Sequence, residues 1–294
     1  MPENKKQIKE RIQATKKTGQ ITSAMNMVSS AKLRKSERSL MKFRPISNSI
    51  KETMLSLLTS NPSVTHKTLS QNKGKPCFVI VSSDRGLIGA YNNSLFRFFE
   101  SYLIEKNLTK DDIFIATIGF KSYSYFKKKG YNLINTEAIN IRDDVLFVDY
   151  EELLVRLVEG YMNGTIGKTS VIYNSYVNTI EYRQTITNLL PIDVNNLKGE
   201  VNINNKKENN KEYIFEPNIE TVLDSLIYLD VSYTTHRIIL EAKSSEHAAR
   251  MNAMKNASDN AEDIAERLTL LYNRARQSQI TNELIDIVNG SNAV

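Results

Sequence analysis

The sequence predicts an α/β protein in which long N- and C-terminal helices form an antiparallel coiled coil around an inserted Rossmann-like α/β domain. Three observations lead to this prediction. Residues 218–289 contain neither glycine nor proline, residues 3–60 repeat apolar side chains at helical spacing, and the segment between them alternates strand-like with helical runs. We expect four parts: an N-terminal coiled-coil helix (1–60), a central α/β domain (75–193), a polar loop (194–217) and a C-terminal coiled-coil helix (218–294).

The N-terminal segment is predicted to be helical because its apolar residues recur three and four positions apart. These residues are Ile21, Met25, Val28, Phe43, Ile46, Ile50, Met54 and Leu57. Pro45 lies inside the pattern and predicts a kink or a local break. Asn61 and Pro62 predict the end of the helix.

The central segment alternates strands with helices, which is typical of a mainly parallel sheet. The predicted elements are a strand at Cys77–Ser83, a helix at Leu95–Glu105, a strand at Ile113–Gly119, helices at Phe120–Lys129 and Asp149–Tyr161, and a hairpin of Thr169–Thr179 with Tyr182–Leu190.

The C-terminal helix carries the spacing of a left-handed coiled coil. The predicted seam is Met254, Ala257, Ala261, Ile264, Leu268, Leu271 and Ala275. Its three alanines imply a close approach of the partner helix. Residues 243–276 hold eleven charged residues, whereas residues 277–294 hold only Glu283 and Asp286. The last turns are therefore expected to project beyond the partner helix into an apolar environment or an uncharged sleeve.

The charge of the chain is concentrated at one end. The net charge is +6, yet residues 3–44 alone hold twelve Lys and Arg against three Glu. Such a segment favours an acidic partner, which could be nucleic acid, anionic lipid or an acidic protein surface. The single cysteine, Cys77, excludes a disulfide scaffold and a cysteine-based zinc site. The sequence contains no run of eighteen apolar residues, so a transmembrane helix is not predicted.

A catalytic site is not predicted. The loop Ser82–Asn93 lies between a strand and a helix, where phosphate loops occur, but it lacks the glycine spacing of such a loop. Gly86 and Gly89 are expected to serve a tight turn. The pairs Asp143-Asp144 and Glu151-Glu152 are expected to be solvated faces. We therefore expect no catalytic residue, no cofactor and no metal.

Three segments resemble the gamma subunit of F-type rotary ATP synthase: Ile21–Glu37, Val81–Asn92 and Glu246–Gly290. The resemblance implies a non-catalytic shaft that turns inside a hexameric head of alpha and beta subunits. It also implies that the α/β domain contacts the epsilon subunit and the membrane-embedded ring of c subunits. Proton flow through the ring would turn the shaft and drive ATP synthesis in the head.

The resemblance further implies a set of contacts with the beta subunit. The matching residues are Met25, Lys32, Arg34, Lys35, Arg276, Gln277, Thr281 and Glu283. Arg276 and Gln277 match a pair that hydrogen-bonds a loop of beta, and Thr281 with Glu283 matches further polar contacts at that tip. Met25 and the three basic residues match the region that faces an acidic lever loop of beta.

Two other readings stay open on the residues alone. One is an α/β enzyme with coiled-coil oligomerisation arms, which would need a phosphate or acid–base site. The other is a basic coiled-coil nucleic-acid binder, whose affinity would fall steeply with salt. We expect neither nucleic-acid binding nor direct membrane insertion. Because no organelle presequence is visible, we expect a bacterial protein on the cytoplasmic face of the inner membrane, held there peripherally.

Overall fold

The computed structural model describes residues 5–193, 216 and 218–291. Its elements are α1 (Lys5–Ser60), β1 (Lys75–Val81), α2 (Tyr91–Glu105), β2 (Phe114–Ile118), α3 (Phe120–Lys128), α4 (Glu151–Met162), β3 (Ile166–Tyr176), β4 (Tyr182–Leu190) and α5 (Ile219–Ser291). The predicted α/β class with long terminal helices is confirmed. The predicted polar loop (194–217) lies almost entirely outside the described residues.

The chain forms two compact units. The first contains residues 1–30 and 250–294, and the second contains residues 31–249. Helices α1 and α5 each contribute to both units. The four-part division predicted from the sequence stays a prediction.

The second unit is built on a four-stranded sheet with the order β2-β1-β3-β4. Strand β1 runs parallel to both of its neighbours, and β3 pairs with β4 as an antiparallel hairpin. This topology matches the mainly parallel sheet and the terminal hairpin that the alternating pattern predicts.

Both faces of the sheet are covered at its centre, which explains why β1 and β2 are apolar along most of their length. Phe78 and Ile80 point to one side, where they join a buried cluster with the aromatic residues of α2 and α3. Val79 and Val81 point to the other side, where they pack with α4 and with the parts of α1 and α5 that belong to this unit. The sheet is thus the middle of three layers.

The first unit is an antiparallel pair formed by α1 and α5. The Asn26 side-chain amide donates to the Met251 carbonyl at 2.8 Å, and Ser258 Oγ donates to the Gly19 carbonyl at 3.3 Å. Residue numbers rise along α1 as they fall along α5, so the helices run in opposite directions. A Cβ on Gly19 would lie 3.3 Å from the Ala261 Cβ, so the two backbones approach closely there.

The seam of α5 differs from the predicted one. Ile264 and Leu271 are each 47% exposed, whereas Ala265 is buried. Ala261 and Leu268 are buried, as predicted. Close backbone approach requires small side chains on the contact face, so the larger residues next to them turn outward.

Because the two backbones approach closely, the contact face of α1 also differs from the apolar face predicted for it. Ile21 and Val28 are 61% and 54% exposed, whereas Ser29 is buried and Asn26 bonds to the facing helix. In this unit polar and small residues form much of the contact, and hydrophobic periodicity alone points to the wrong face.

Helix α1 continues through Pro45, so of the predicted kink or local break the break is not found. Proline removes one intrahelical hydrogen bond, and nearby packing offsets that loss. Phe43 stacks on Tyr233 with 5.1 Å between ring centroids, and Ser47 is buried. These contacts lie within the second unit and hold the helix on either side of the proline.

Candidate partner-contact surfaces

The C-terminal tip of α5 extends beyond the described part of α1. Counting fourteen residues along each helix from the Gly19–Ala261 contact places Lys5, where α1 begins, opposite Ala275. Residues 276–291 therefore lie past the described part of α1. The side chains described there are exposed throughout.

The tip is amphipathic. At about 100° per residue, four apolar side chains fall on one face of the helix. They are Ile280, Leu284, Ile287 and Val288, with exposures of 48%, 57%, 67% and 57%. The described part of the chain leaves this face uncovered, which marks it as a surface for another protein.

The four polar residues predicted at the tip all lie on this segment and are exposed. Thr281 Oγ1 donates to the Gln277 carbonyl at 2.9 Å. Glu283 Oε1 accepts from the Gln279 amide at 2.8 Å. At about 100° per residue, Arg276 lies at one edge of the apolar face, and Gln277 lies within that face between Leu284 and Val288. The structure thus brings the predicted pair to the surface they are expected to serve.

The basic residues predicted on α1 are partly engaged within the chain. Lys32 Nζ lies 2.7 Å from Asp143 Oδ2, and Lys35 Nζ lies 2.6 Å from Asp144 Oδ1. The expectation of two simply solvated aspartates is therefore incomplete, since both form ion pairs. Arg34, between the two lysines, is exposed. The tip residues and these basic residues belong to different units.

Met25 lies in the first unit and is half-buried. Its carbonyl accepts a hydrogen bond from Ser29 Oγ at 2.8 Å, a bond within α1. Its side chain is therefore less accessible than those of the exposed residues at the tip.

Asp143 has a more perturbed environment than a surface ion pair. Burial acts to raise its pKa, but the hydrogen bond and charge of Lys32, with His247 and Lys243 nearby, lower the pKa below its usual value. His247 Nε2 lies 3.6 Å from Asp143 Oδ1. Asp143 thus joins α1 to α5 within the second unit.

The loop Ser82–Asn93 has a structural role. Asp84 accepts hydrogen bonds from the backbone amides of Phe120 at 2.9 Å and Ile141 at 3.1 Å, and burial raises its pKa. Tyr91 Oη donates to the Ala242 carbonyl of α5 at 2.9 Å. The loop therefore fastens α3 and α5 to the sheet rather than cradling a phosphate.

Sequence reasoning missed the buried polar stretch of α5 that this loop covers. Every residue from Ala242 to Ala249 is buried. Lys243 Nζ lies 3.1 Å from Glu246 Oε2, and both side chains are less than one-tenth exposed. The small residues Ser244 and Ser245 were an available signal, because a helix packed on all sides needs small side chains.

Within the described ranges, no three or more His, Cys, Asp or Glu side chains are grouped as metal ligands would be. The described helices include none that is both long enough and apolar enough to span a bilayer. The single thiol, Cys77, is buried in β1, and burial raises its pKa.

The environment of His236 predicts that the stability of the folded chain depends on pH. Its Nδ1 lies 2.5 Å from Tyr150 Oη, its ring packs on Phe43, and burial lowers its pKa below 6.5. Between that lowered pKa and about 6.5, the unfolded chain binds more protons than the folded chain does. The free energy of unfolding therefore falls as pH decreases through this window. We expect His236→Gln to flatten the dependence of the melting temperature on pH between 7 and 5. A variant with the parental slope would contradict this assignment.

The chain contains an antiparallel helix pair with an uncovered amphipathic tip, and it also contains an α/β unit. These features define a coiled-coil protein that acts through its contact surfaces. Comparison with known proteins agrees. A family model described as ATP synthase matches residues 4–294. The ATP synthase gamma chain of Symbiobacterium thermophilum is 38% identical over 298 residues, covering 100% of this chain and 99% of the relative. That of Staphylococcus saprophyticus is 34% identical and covers 98% of each chain.

Solved structures share the fold. A chain in the Euglena gracilis mitochondrial ATP synthase (OSCP/F1/c-ring, rotational state 3) superposes with a TM-score of 0.63 at 19% identity, covering 98% of this chain and 94% of that one. A chain in the Tetrahymena thermophila central stalk and c-ring gives 0.57 at 24% identity, covering 81% and 99%. The protein belongs to the ATP synthase gamma chain family. It is a non-catalytic subunit and a peripheral part of the membrane complex.

Proposed function

We propose that this chain is the central rotor shaft of an F-type ATP synthase. It turns inside a head of alpha and beta subunits, while its α/β unit contacts the epsilon subunit and the c-subunit ring. Proton flow through the ring turns the shaft, and the shaft drives ATP synthesis in the head. The observation that carries this proposal is the exposed amphipathic tip of α5, which extends past the described part of its partner helix.

A shaft can drive catalysis only through contacts that differ between conformations of the head. The tip supplies such contacts, because Ile280, Leu284, Ile287 and Val288 lie on one side of the helix whereas Ser278 and Asn282 lie on the other. Each catalytic subunit therefore meets a different face at each angle. The gamma chain relatives at 34–38% identity along the whole chain support this role.

Arg276, Gln277, Thr281 and Glu283 are proposed to contact the beta subunit at the tip. Arginine is suited to this role because its planar guanidinium can bind a carboxylate through two parallel hydrogen bonds. A contact of this strength can set a resting angle of the shaft and still break when the ring drives rotation.

Met25, Lys32, Arg34 and Lys35 are proposed to face an acidic segment of beta. Lys32 and Lys35 already pair with aspartates of this chain, at 2.7 and 2.6 Å. An acidic segment of beta must share these lysines with Asp143 and Asp144. Arg34 has the simplest access to a partner carboxylate, because it is exposed between the two pairs.

The chain is further proposed to lie on the cytoplasmic face of a bacterial inner membrane. Both gamma chain relatives named above come from bacteria. The four-part domain division predicted from the sequence is retained here as a proposal, with the head bound by the two coiled-coil parts.

The test of the tip assignment is the double variant Arg276→Ala, Gln277→Ala. Both side chains are exposed, so the melting temperature of the purified chain should not change. ATP hydrolysis by the complex reconstituted with alpha and beta subunits should fall about tenfold or more, because a hydrogen bond to a charged group contributes about 1.5–3 kcal/mol.

The matched control is Asn273→Ala, Arg274→Ala, which removes the same two kinds of side chain one turn earlier and should hydrolyse ATP normally. Both of these residues are also exposed. If Arg276→Ala, Gln277→Ala lowers the melting temperature while turnover stays normal, the pair is structural and the assignment fails.

A further inference from the structure

The first stretch of α1 inside the second unit, residues 31–44, is held by few buried side chains. The structure describes all of this stretch, and its buried residues are Leu33, Ser36 and Leu40. They lie on one face of the helix, because they are three and four positions apart. Burial of apolar surface is not directional, so such a narrow contact does little to stop a helix from turning about its own axis. Polar contacts at the sides of this face must therefore fix the rotation of the helix.

Two ion pairs hold one side of the stretch. Lys32 Nζ lies 2.7 Å from Asp143 Oδ2, and Lys35 Nζ lies 2.6 Å from Asp144 Oδ1. Both aspartates belong to the segment between α3 and α4. Hydrogen-bonded ion pairs of this length depend on direction as well as distance. They therefore restrain the rotation of the helix, which apolar packing does not.

A hydrogen bond holds the opposite side. Tyr176 Oη, at the end of β3, donates to Glu37 Oε1. At about 100° per residue, Glu37 lies about 70° to one side of the centre of the buried face, and Lys32 lies about as far to the other. The two sides together oppose a turn of α1 in either direction.

The segment that carries the aspartates is itself fixed to the sheet. The Gly119 amide donates to the Ile139 carbonyl at 2.8 Å. The Ile141 amide donates to Asp84 Oδ2 at 3.1 Å, and the Ile141 side chain is buried. A contact can transmit force only if both of its ends are anchored. These bonds anchor the end that faces α1.

Asp143 also reaches the second long helix. His247 Nε2 lies 3.6 Å from Asp143 Oδ1, in a part of α5 that is buried from Ala242 to Ala249. The second unit spans residues 31–249, so Lys32 and His247 lie one and two residues inside its limits. Asp143 therefore contacts both helices close to the point where each leaves this unit.

We propose that Asp143 and Asp144 are positioning residues of the rotor. They stop α1 from turning within the second unit, and they thereby pass the rotation of that unit to the long helices. This inference rests on the proposed rotor function, because a chain that does not rotate has no torque to transmit. A lysine has three N–H donors, so each pair leaves donors free for a carboxylate of the beta subunit.

The first test measures the freedom of α1 in the purified chain. Nitroxide labels at Ser39→Cys on α1 and Lys128→Cys on α3 occupy exposed positions, and the native Cys77 is buried. The distribution of label-to-label distances should become about twofold broader in Asp143→Asn, Asp144→Asn, which loses two of the three polar contacts described above. The melting temperature should change by less than about 4 °C, because exposed ion pairs contribute little to stability.

The matched control is Asp111→Asn, Asp112→Asn, another exposed pair of adjacent aspartates. Asp112 accepts from the Thr109 amide, and the Asp111 carbonyl accepts from Lys75, so neither of these bonds involves a long helix. This control should keep the parental width.

A rescue variant separates the charge from the fold. Asp143→Glu, Asp144→Glu retains both carboxylates and should return the distance distribution close to the parental width. Parental width in the asparagine variant would overturn the proposal. So would a glutamate variant as broad as the asparagine variant, because the carboxylates would then not be the cause.

The second test uses the reconstituted complex, with the head fixed through its beta subunits and a bead attached to α4. ATP should still drive rotation of the asparagine variant. The angular spread of the bead about each resting position should be about twofold larger than in the parental complex, because fewer polar contacts restrain the helix. A parental bead that never rotates would contradict the proposed function. A rotating variant with the parental spread would overturn only the role of Asp143 and Asp144.

Discussion

Replacing Ile280 and Leu284 with aspartate is expected to weaken assembly with an alpha–beta head at least a hundredfold. Both side chains are about half exposed, at 48% and 57%, so the isolated chain loses little packing and should melt at its parental temperature. The proposed function places the same positions in an apolar sleeve of the head, where an unpaired carboxylate costs several kcal/mol. The two measurements are the melting temperature of the chain and its affinity for the head.

The control carries the same added charge on the other side of the helix. Ser278→Asp, Asn282→Asp places two carboxylates on the polar face, where both native residues are exposed. Assembly of this control should weaken far less. If both variants assemble equally well, the apolar face of the tip does not enter a sleeve, and the proposed function of the tip is wrong.

Gly119→Ala is expected to destabilise the second unit by about 3 kcal/mol or more, equivalent to a fall of about 6–12 °C in melting temperature. Gly119 has φ of +100°, a conformation that favours glycine. A Cβ there would lie 2.2 Å from the carbonyl oxygen of Ser82, and backbone cannot move aside as a side chain can. The Ser82–Ser122 hydrogen bond of 2.8 Å, at the end of β1, would be disturbed as well.

Gly86→Ala is the control for that experiment. A Cβ on Gly86 would meet no atom within 4 Å, so its melting temperature should stay close to the parental value. A stable, normally folded Gly119→Ala chain would show that the junction between β2 and α3 is not as tightly packed as the structure indicates.

The elements of the α/β unit could be predicted because each is specified by its own local pattern. The run around Val79 is apolar on both faces, so it is the strand of a sheet covered on both sides. The apolar residues of α4 have the simple spacing of an amphipathic helix. Such patterns depend on burial within one element and need no knowledge of its neighbours.

The contact faces of the helix pair could not be predicted in the same way. The contact near Gly19 depends on how closely two backbones approach, and Ala261 and Ser258 fit it because they are small. Hydrophobicity favours Ile264 instead, which is 47% exposed. Packing distance, rather than apolar character, decides the face.

The ion pairs of Lys32 and Lys35 could not be predicted from the sequence either. Their partners lie more than a hundred positions away, in the segment between α3 and α4. A basic cluster indicates an acidic partner but does not say whether it belongs to the same chain. The low charge of the tip, by contrast, was visible in the sequence, because Glu283 and Asp286 are the only charged residues that follow Arg276.

The most direct test of the rotor function is single-molecule rotation of the reconstituted complex. The head is fixed to a surface through its beta subunits, and a bead is attached to the chain at Glu159→Cys on the exposed side of α4. The native thiol does not compete for the label, because Cys77 is buried and burial raises its pKa. The account predicts that ATP drives stepwise rotation of the bead in one direction. A bead that stays still while the same complex hydrolyses ATP would contradict it.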